Sequence, residues 1–116
     1  MSLKEQLAND LMDAIRGRDE PRKTAIRMVT WSLKYAEVAA GKQLADPDVL
    51  AIIAKQVKQR RESIEEFQKA SRQDLVDKEA AEMRVLEDYL PPAMDREEIA
   101  EEARKVIAEV DARAQR

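Results

Sequence analysis

The stretch KQVKQRRESIEEF, residues 55–67, sets four basic residues in seven positions against three glutamates in the next five, with Val57, Ile64 and Phe67 threaded through. On a helical wheel of about 100° per residue, Val49, Ile53, Val57, Ile64 and Phe67 share one arc, and Arg60 lies in its middle. Lys55, Lys58, Gln59, Glu62 and Glu66 fall on the other side, where mixed signs describe a solvated face. An arginine on an apolar arc needs a partner. Downstream, Leu75, Met83, Leu86 and Leu90 form a second stripe, and Glu79 sits near its centre.

In an antiparallel hairpin, facing residues have nearly constant summed numbers. Ile64 with Leu75, Ile53 with Leu86, and Arg60 with Glu79 each give 139, and Val57 with Met83 gives 140. The register predicts a structural ion pair between Arg60 and Glu79, because a planar guanidinium can meet a carboxylate through two hydrogen bonds. A catalytic acid beside its tuning charge is the alternative reading of the same two residues.

Working outward, helix-end chemistry divides the chain into about five helices. Gly17 suits the end of a first helix over residues 2–16, and Pro21 opens a second that runs to residue 40 before Gly41. Asp46 is expected to cap a third helix, with Pro47 at its first position, running to about residue 70. A turn at Ser71 or Arg72 leads into a fourth that ends at Leu90, ahead of Pro91 and Pro92. Asp95 and Glu98 begin a fifth, whose stripe is Ile99, Ala103, Val106 and Val110. That stripe must cover something, and no glycine or proline closes the helix before the chain ends in DARAQR. The fold class is all-α: a helical bundle built on a hairpin of two long helices.

Composition agrees. With 39% of 116 residues charged, 3% aromatic, and only two glycines and four prolines, the chain suits one helical domain with an aliphatic core. Histidine and cysteine are absent, which removes the usual zinc ligands, disulfides, thiol nucleophiles and the side chain best suited to proton transfer at neutral pH. No GxSxG, phosphate-loop or metal-ligand pattern occurs. No catalytic residue, metal or cofactor is expected. The start, MSLKEQLANDL, reads as neither a signal peptide nor a membrane anchor, and a soluble cytoplasmic protein with no membrane partner is the expectation.

The second helix carries two apolar bands. Ala25, Ile26, Val29, Leu33, Ala36 and Ala40 form one, and Met28, Trp31, Tyr35 and Val38 the other, as expected of a central helix touched from two directions. Trp31 and Tyr35 suit either packing or base stacking. Charge is also uneven. Residues 1–61 hold 12 Lys/Arg against 8 Asp/Glu, and residues 62–116 hold 9 against 16, so a polyanion would meet the first half. Arg16, Arg18, Arg22, Lys23 and Arg27 form the best candidate nucleic-acid patch, with Thr30 and Lys34 continuing the side of Lys23 and Arg27. Asp19 and Glu20 dilute it, and an ordinary solvated face is the alternative.

The runs IRMVTWSLKYAEVAAGKQLADPDVL and VLAIIAKQVKQRRESIEEFQKASRQDLVDKEAAEMRVLEDYLPP together resemble the YqeY-like family, over essentially the whole chain. KQRRESIEEF, SRQDL and YLPP carry the resemblance. That family is similar to the C-terminal part of the B subunit of the glutamine-dependent amidotransferase acting on misacylated glutamyl- or aspartyl-tRNA, a carbon–nitrogen ligase complex. The resemblance implies a helical domain followed by a smaller helical tail, related to tRNA holding rather than to the chemistry. The chain ends at about the place where that tail should begin, so these residues are expected to form the single domain ahead of it, and any tRNA binding without it to be weak. Ser71 stands where the family usually has glycine. Two readings follow: a non-catalytic tRNA-associated module, or a protein-interaction domain using the broad apolar band of the second helix. The tRNA, the protein partner, the oligomeric state and the role of a free-standing member are left open.

Overall fold

The computed structural model describes residues 1–91. Four helices follow in order: α1 (Leu3–Arg16), α2 (Glu20–Ala40), α3 (Asp46–Lys69) and α4 (Gln73–Glu87). The described residues are all-helical, with no strand. The fifth helix expected from Asp95 lies outside them.

Each helix starts and stops for local reasons. The Ser2 hydroxyl accepts from the Glu5 N–H at 3.2 Å, and the Asp19 carboxylate accepts from the Arg22 N–H at 3.2 Å, satisfying donors that a first turn leaves unpaired. Three helices end in the same six-residue closure. The Asp19, Lys42 and Arg72 amides donate back to the carbonyls of Ala14, Glu37 and Phe67. The residue before each donor takes the left-handed conformation: Arg18 at φ 54°, Gly41 at 68° and Ser71 at 57°. Gly17 is the C-cap of α1, as the sequence expectation had it, although it keeps a right-handed φ of −83° and the next residue makes the reversal.

Asp46 is not the cap of its own helix. Ala45 holds that position, with its N–H donating to the Asp48 carboxylate at 3.2 Å, while the Asp46 carboxylate accepts from the Leu3 N–H of α1 at 3.1 Å. The acid expected to start α3 therefore stabilises the start of α1. Nearby, the Glu37 carboxylate pairs with Lys4 and accepts from the Leu44 N–H at 2.8 Å, so the loop after α2 is fastened to α1 as well. The fourth helix ends at Glu87, three residues short of Leu90, and the chain continues as tight turns from the Tyr89 and Leu90 amides to Leu86 and Glu87.

One core unites the helices. Leu7 of α1, Ala25, Ile26, Val29 and Leu33 of α2, Val49, Ile53 and Val57 of α3 and Leu86 of α4 are buried together, and Met83 and Leu90 pack against them. Full burial of a side chain such as Ile26 or Ile53 contributes about 1.5–3 kcal/mol each. After the turn at residues 70–72, α4 returns along α3. α2 touches each of the other three helices.

Candidate functional site

Arg60 is buried at 6% exposure, and its Nη1 lies 3.0 Å from Glu79 Oε2 across the α3–α4 turn. The same nitrogen is 3.6 Å from Glu82 Oε2, and Nη2 points at the Met28 sulfur of α2, 3.2 Å away. Glu82 is the deeper of the two acids, 2% exposed, with its Oε2 unbonded. Burial raises the Glu82 pKa, and Arg60 opposes that shift while Glu79 adds to it. Sequence reasoning missed Glu82. It lies three residues after Glu79 and four before Leu86, a spacing that places it on the same face, but neighbouring Met83 took the apolar reading.

Gln56, one turn before Arg60, extends this polar layer toward α2. Its amide nitrogen donates to the Ser32 hydroxyl at 2.8 Å and to the Met28 carbonyl at 3.3 Å. Three helices are thus registered by one buried seam. The arrangement is a cross-brace, with two carboxylates sharing one guanidinium.

The other half of α2 faces outward. Trp31 is 63% exposed, Tyr35 76% and Val38 83%, with Met28 at 43%. The expectation that α2 is covered from two directions therefore holds for one band only, among the described residues: Ala25, Ile26, Val29 and Leu33 are buried, and the aromatic band is open. At 100° per residue, Arg27 and Lys34 flank Trp31 on one side, with Lys23 a little farther round. A row of cations thus edges a row of aromatic and apolar side chains.

The residues of the candidate basic patch lie around the α1–α2 turn and along the first turns of α2, and they are unequally engaged. Arg22 Nη2 is 3.4 Å from Asp10 Oδ1, Lys23 pairs with Glu20 at 3.4 Å, and Arg16 reaches Asp13 at 4.0 Å. Arg18 and Arg27 make no ion pair among the described residues. Beside Arg22 lies a small cleft of about 180 Å³, lined by Gln6, Asp10, Arg22, Val85, Asp88 and Tyr89. The Tyr89 hydroxyl donates to Asp10 there, and burial first, then that bond, pushes its pKa well above the usual phenol value.

No group of three or more acidic residues is placed to hold a metal ion among the described residues, and no described helix is long and apolar enough to cross a membrane.

Comparison with known proteins turns this geometry into a family assignment. The chain is 42% identical over 96 residues to "Altered inheritance of mitochondria protein 41, mitochondrial" of Kluyveromyces lactis, covering 80% of this chain and 52% of that one. The proteins of the same name from Lachancea thermotolerans and Eremothecium gossypii are 39% and 36% identical, covering 72% and 90% of this chain and 46% and 58% of theirs. The chain thus spans about half the length of these curated relatives. Their names correct the expectation of a cytoplasmic protein, since they point to mitochondria. The error has a physical reason: composition and the character of eleven N-terminal residues carry no compartment information for relatives twice as long. The profile described as Yqey-like protein matches residues 4–116, and the chain belongs to that family.

Proposed function

We propose that this domain is a non-catalytic tRNA-contacting module, related in that role to the amidotransferase B subunit, and that α2 is the contact. The observation that supports this most is the exposure of Trp31 and Tyr35 on a helix face edged by Lys23, Arg27 and Lys34. Aromatic faces accept stacked bases of any sequence, and the neighbouring cations meet the backbone phosphates. Among the described residues Arg18 and Arg27 have no ion-pair partner to give up for phosphate, whereas Arg16, Arg22 and Lys23 exchange Asp13, Asp10 and Glu20 for it.

Affinity is weak and steeply salt-dependent, because few phosphates are neutralised and residues 62–116 are net negative. Three contacts from Arg18, Arg27 and Lys34 give a slope of log affinity against log salt of about −2 to −3. The test is fluorescence anisotropy of labelled tRNA at several salt concentrations. Trp31→Ala should weaken binding by about tenfold, on the scale of 1–3 kcal/mol for a stacked base. Arg18→Ser/Arg27→Ser/Lys34→Ser should flatten the slope. Equal binding by both variants would remove α2 as the contact.

A protein partner is the second reading, favoured by the exposure of Val38 and Met28, which offer RNA little. A defined complex captured from lysate, insensitive to ribonuclease and lost on Val38→Asp, with no tRNA affinity at low salt, selects it.

A further inference from the structure

Trp31 and Tyr35 stand four residues apart on α2, about 6 Å along its axis and about 40° around it, and both side chains lie open to solvent. In a stacked strand successive bases are about 3.4 Å apart, so two neighbouring bases that each rest on one of these rings must be drawn out of their stack. Paired bases cannot do this. A double helix covers both faces of every interior base and turns only grooves and backbone outward. The spacing of the two rings therefore selects an unpaired strand.

The charges follow the same line. Lys23, Arg27 and Lys34 form a row beside the rings, about 17 Å long, so the phosphates of a strand lying along α2 meet cations over the length in which its bases meet aromatic faces. Lys23 is paired with Glu20, but Arg27 and Lys34 have no ion-pair partner among the described residues. The one carboxylate within residues 27–38, that of Glu37, is turned to Lys4 and the Leu44 amide.

Base edges, by contrast, find little to read them. The Thr30 hydroxyl donates to the Ile26 carbonyl at 3.0 Å, and the Ser32 hydroxyl accepts from Gln56 at 2.8 Å. The Met28 sulfur faces Arg60, and Val38 has no polar atom in its side chain. The Trp31 N–H and the Tyr35 O–H are the polar groups left on the open band.

We infer that the open face of α2 holds an unpaired, unstacked stretch of nucleic acid, without regard to its sequence or its sugar. The inference rests on the tRNA reading given above and narrows it: the part of the tRNA that is held is a loop or a free end and not a stem, and a plain single strand of RNA or DNA serves as well. Two stacked bases and the phosphates beside them make the contact, so a run of about four nucleotides is enough.

Trp31 is the sole tryptophan of the chain and therefore reports directly on a base laid against it. The experiment titrates the full 116-residue chain with oligouridylate and oligothymidylate of about eight nucleotides and with a blunt RNA duplex. Trp31 emission is followed, and the tRNA anisotropy assay is repeated with each as competitor. Both single strands should quench Trp31 and displace tRNA with similar affinity, while the duplex binds at least about tenfold more weakly and leaves the emission unchanged. Tyr35→Ala should weaken single-strand binding by about tenfold and Tyr35→Phe by less than about twofold, since the ring and not the hydroxyl makes the contact. Far-UV circular dichroism checks that both variants remain folded.

Duplex binding as tight as single-strand binding overturns the inference, as does single-strand binding that leaves Trp31 emission unmoved. Binding of tRNA that neither oligonucleotide displaces overturns it too, while the tRNA reading stands. Single strands that bind and quench where tRNA does not bind uphold the inference and remove that reading. If no nucleic acid binds, both fall.

Discussion

Replacing Arg60 by methionine removes the one cation that serves two carboxylates in the α2–α3–α4 seam. Methionine fills similar volume, so the loss is electrostatic rather than a cavity. Stranding a buried partner charge typically costs about 3–5 kcal/mol. Here Glu79 limits the loss, because its side chain is 20% exposed and can turn to water, but Glu82 at 2% cannot. Glu82 must stay charged in the core or bind a proton, and its pKa is already raised. A cost of about 3 kcal/mol at pH 7 follows. With a urea dependence of about 1.5 kcal/mol per M, the midpoint should fall by about 2 M at unchanged slope.

The pH dependence carries the diagnosis. A carboxyl whose folded pKa is raised contributes stability that is full below its unfolded value near 4.5 and is lost as pH rises through the folded pKa. Without Arg60 that folded pKa rises further, so the variant should keep gaining on the unaltered protein as pH is lowered toward the acid range. Rescue should be selective as well. The register argument alone pairs Arg60 with Glu79, so Arg60→Met/Glu79→Leu would recover the loss. The buried position of Glu82 makes Arg60→Met/Glu82→Leu the better rescue. Urea unfolding of the set, followed by circular dichroism at several pH values, is the assay. A cost below about 1 kcal/mol, or full recovery by the Glu79 double variant and none by the Glu82 one, would refute the reasoning.

Ser71→Gly should stabilise the protein by about 1 kcal/mol, because Ser71 bears a left-handed φ of 57° that glycine adopts without strain; thermal unfolding reads it, and an unchanged or lower Tm would speak against the closure described. Glu37→Gln should cost about 1 kcal/mol at pH 7, since the carboxylate serves both Lys4 and the Leu44 amide. The Lys4 hydrogen bond, then the Leu44 amide, lowers the Glu37 pKa, so its contribution is present above the unfolded value of 4.5 and lost as pH falls through the folded one. The variant's deficit should accordingly shrink in acid urea titrations, and a deficit independent of pH would argue against it.

Much of the fold was legible because helix ends are local. Pro21, Gly41 and Pro47 each constrain the backbone within a residue or two, and the α3–α4 register followed from apolar positions at helical spacing. What escaped depends on tertiary placement. Periodicity shows that α2 has two apolar bands but not which one the core takes, so the exposure of Trp31 was not readable. Asp46 looks like a local cap, yet its partner amide is 43 residues away. Glu82 was hidden by its charge, although its spacing from Glu79 and Leu86 was in plain view.

The hydrogen bond between Tyr89 and Asp10 joins residues 79 apart in sequence, whereas Arg60 and Glu79 are 19 apart. Closing the longer loop costs about 1.3 kcal/mol more chain entropy, from three-halves RT times the logarithm of the length ratio. That difference orders the assembly of the domain: the α3–α4 pair can form while α1 still searches, and the Tyr89 latch closes afterwards. Tyr89→Phe should therefore speed unfolding and leave the refolding limb of the chevron almost untouched, whereas Ile53→Val, inside the early pair, should slow refolding. The Tyr89 bond is then the last of these contacts to close and the first to open, on a helix that the Arg22–Asp10 pair also holds and that Glu37 and Asp46 fasten near its start.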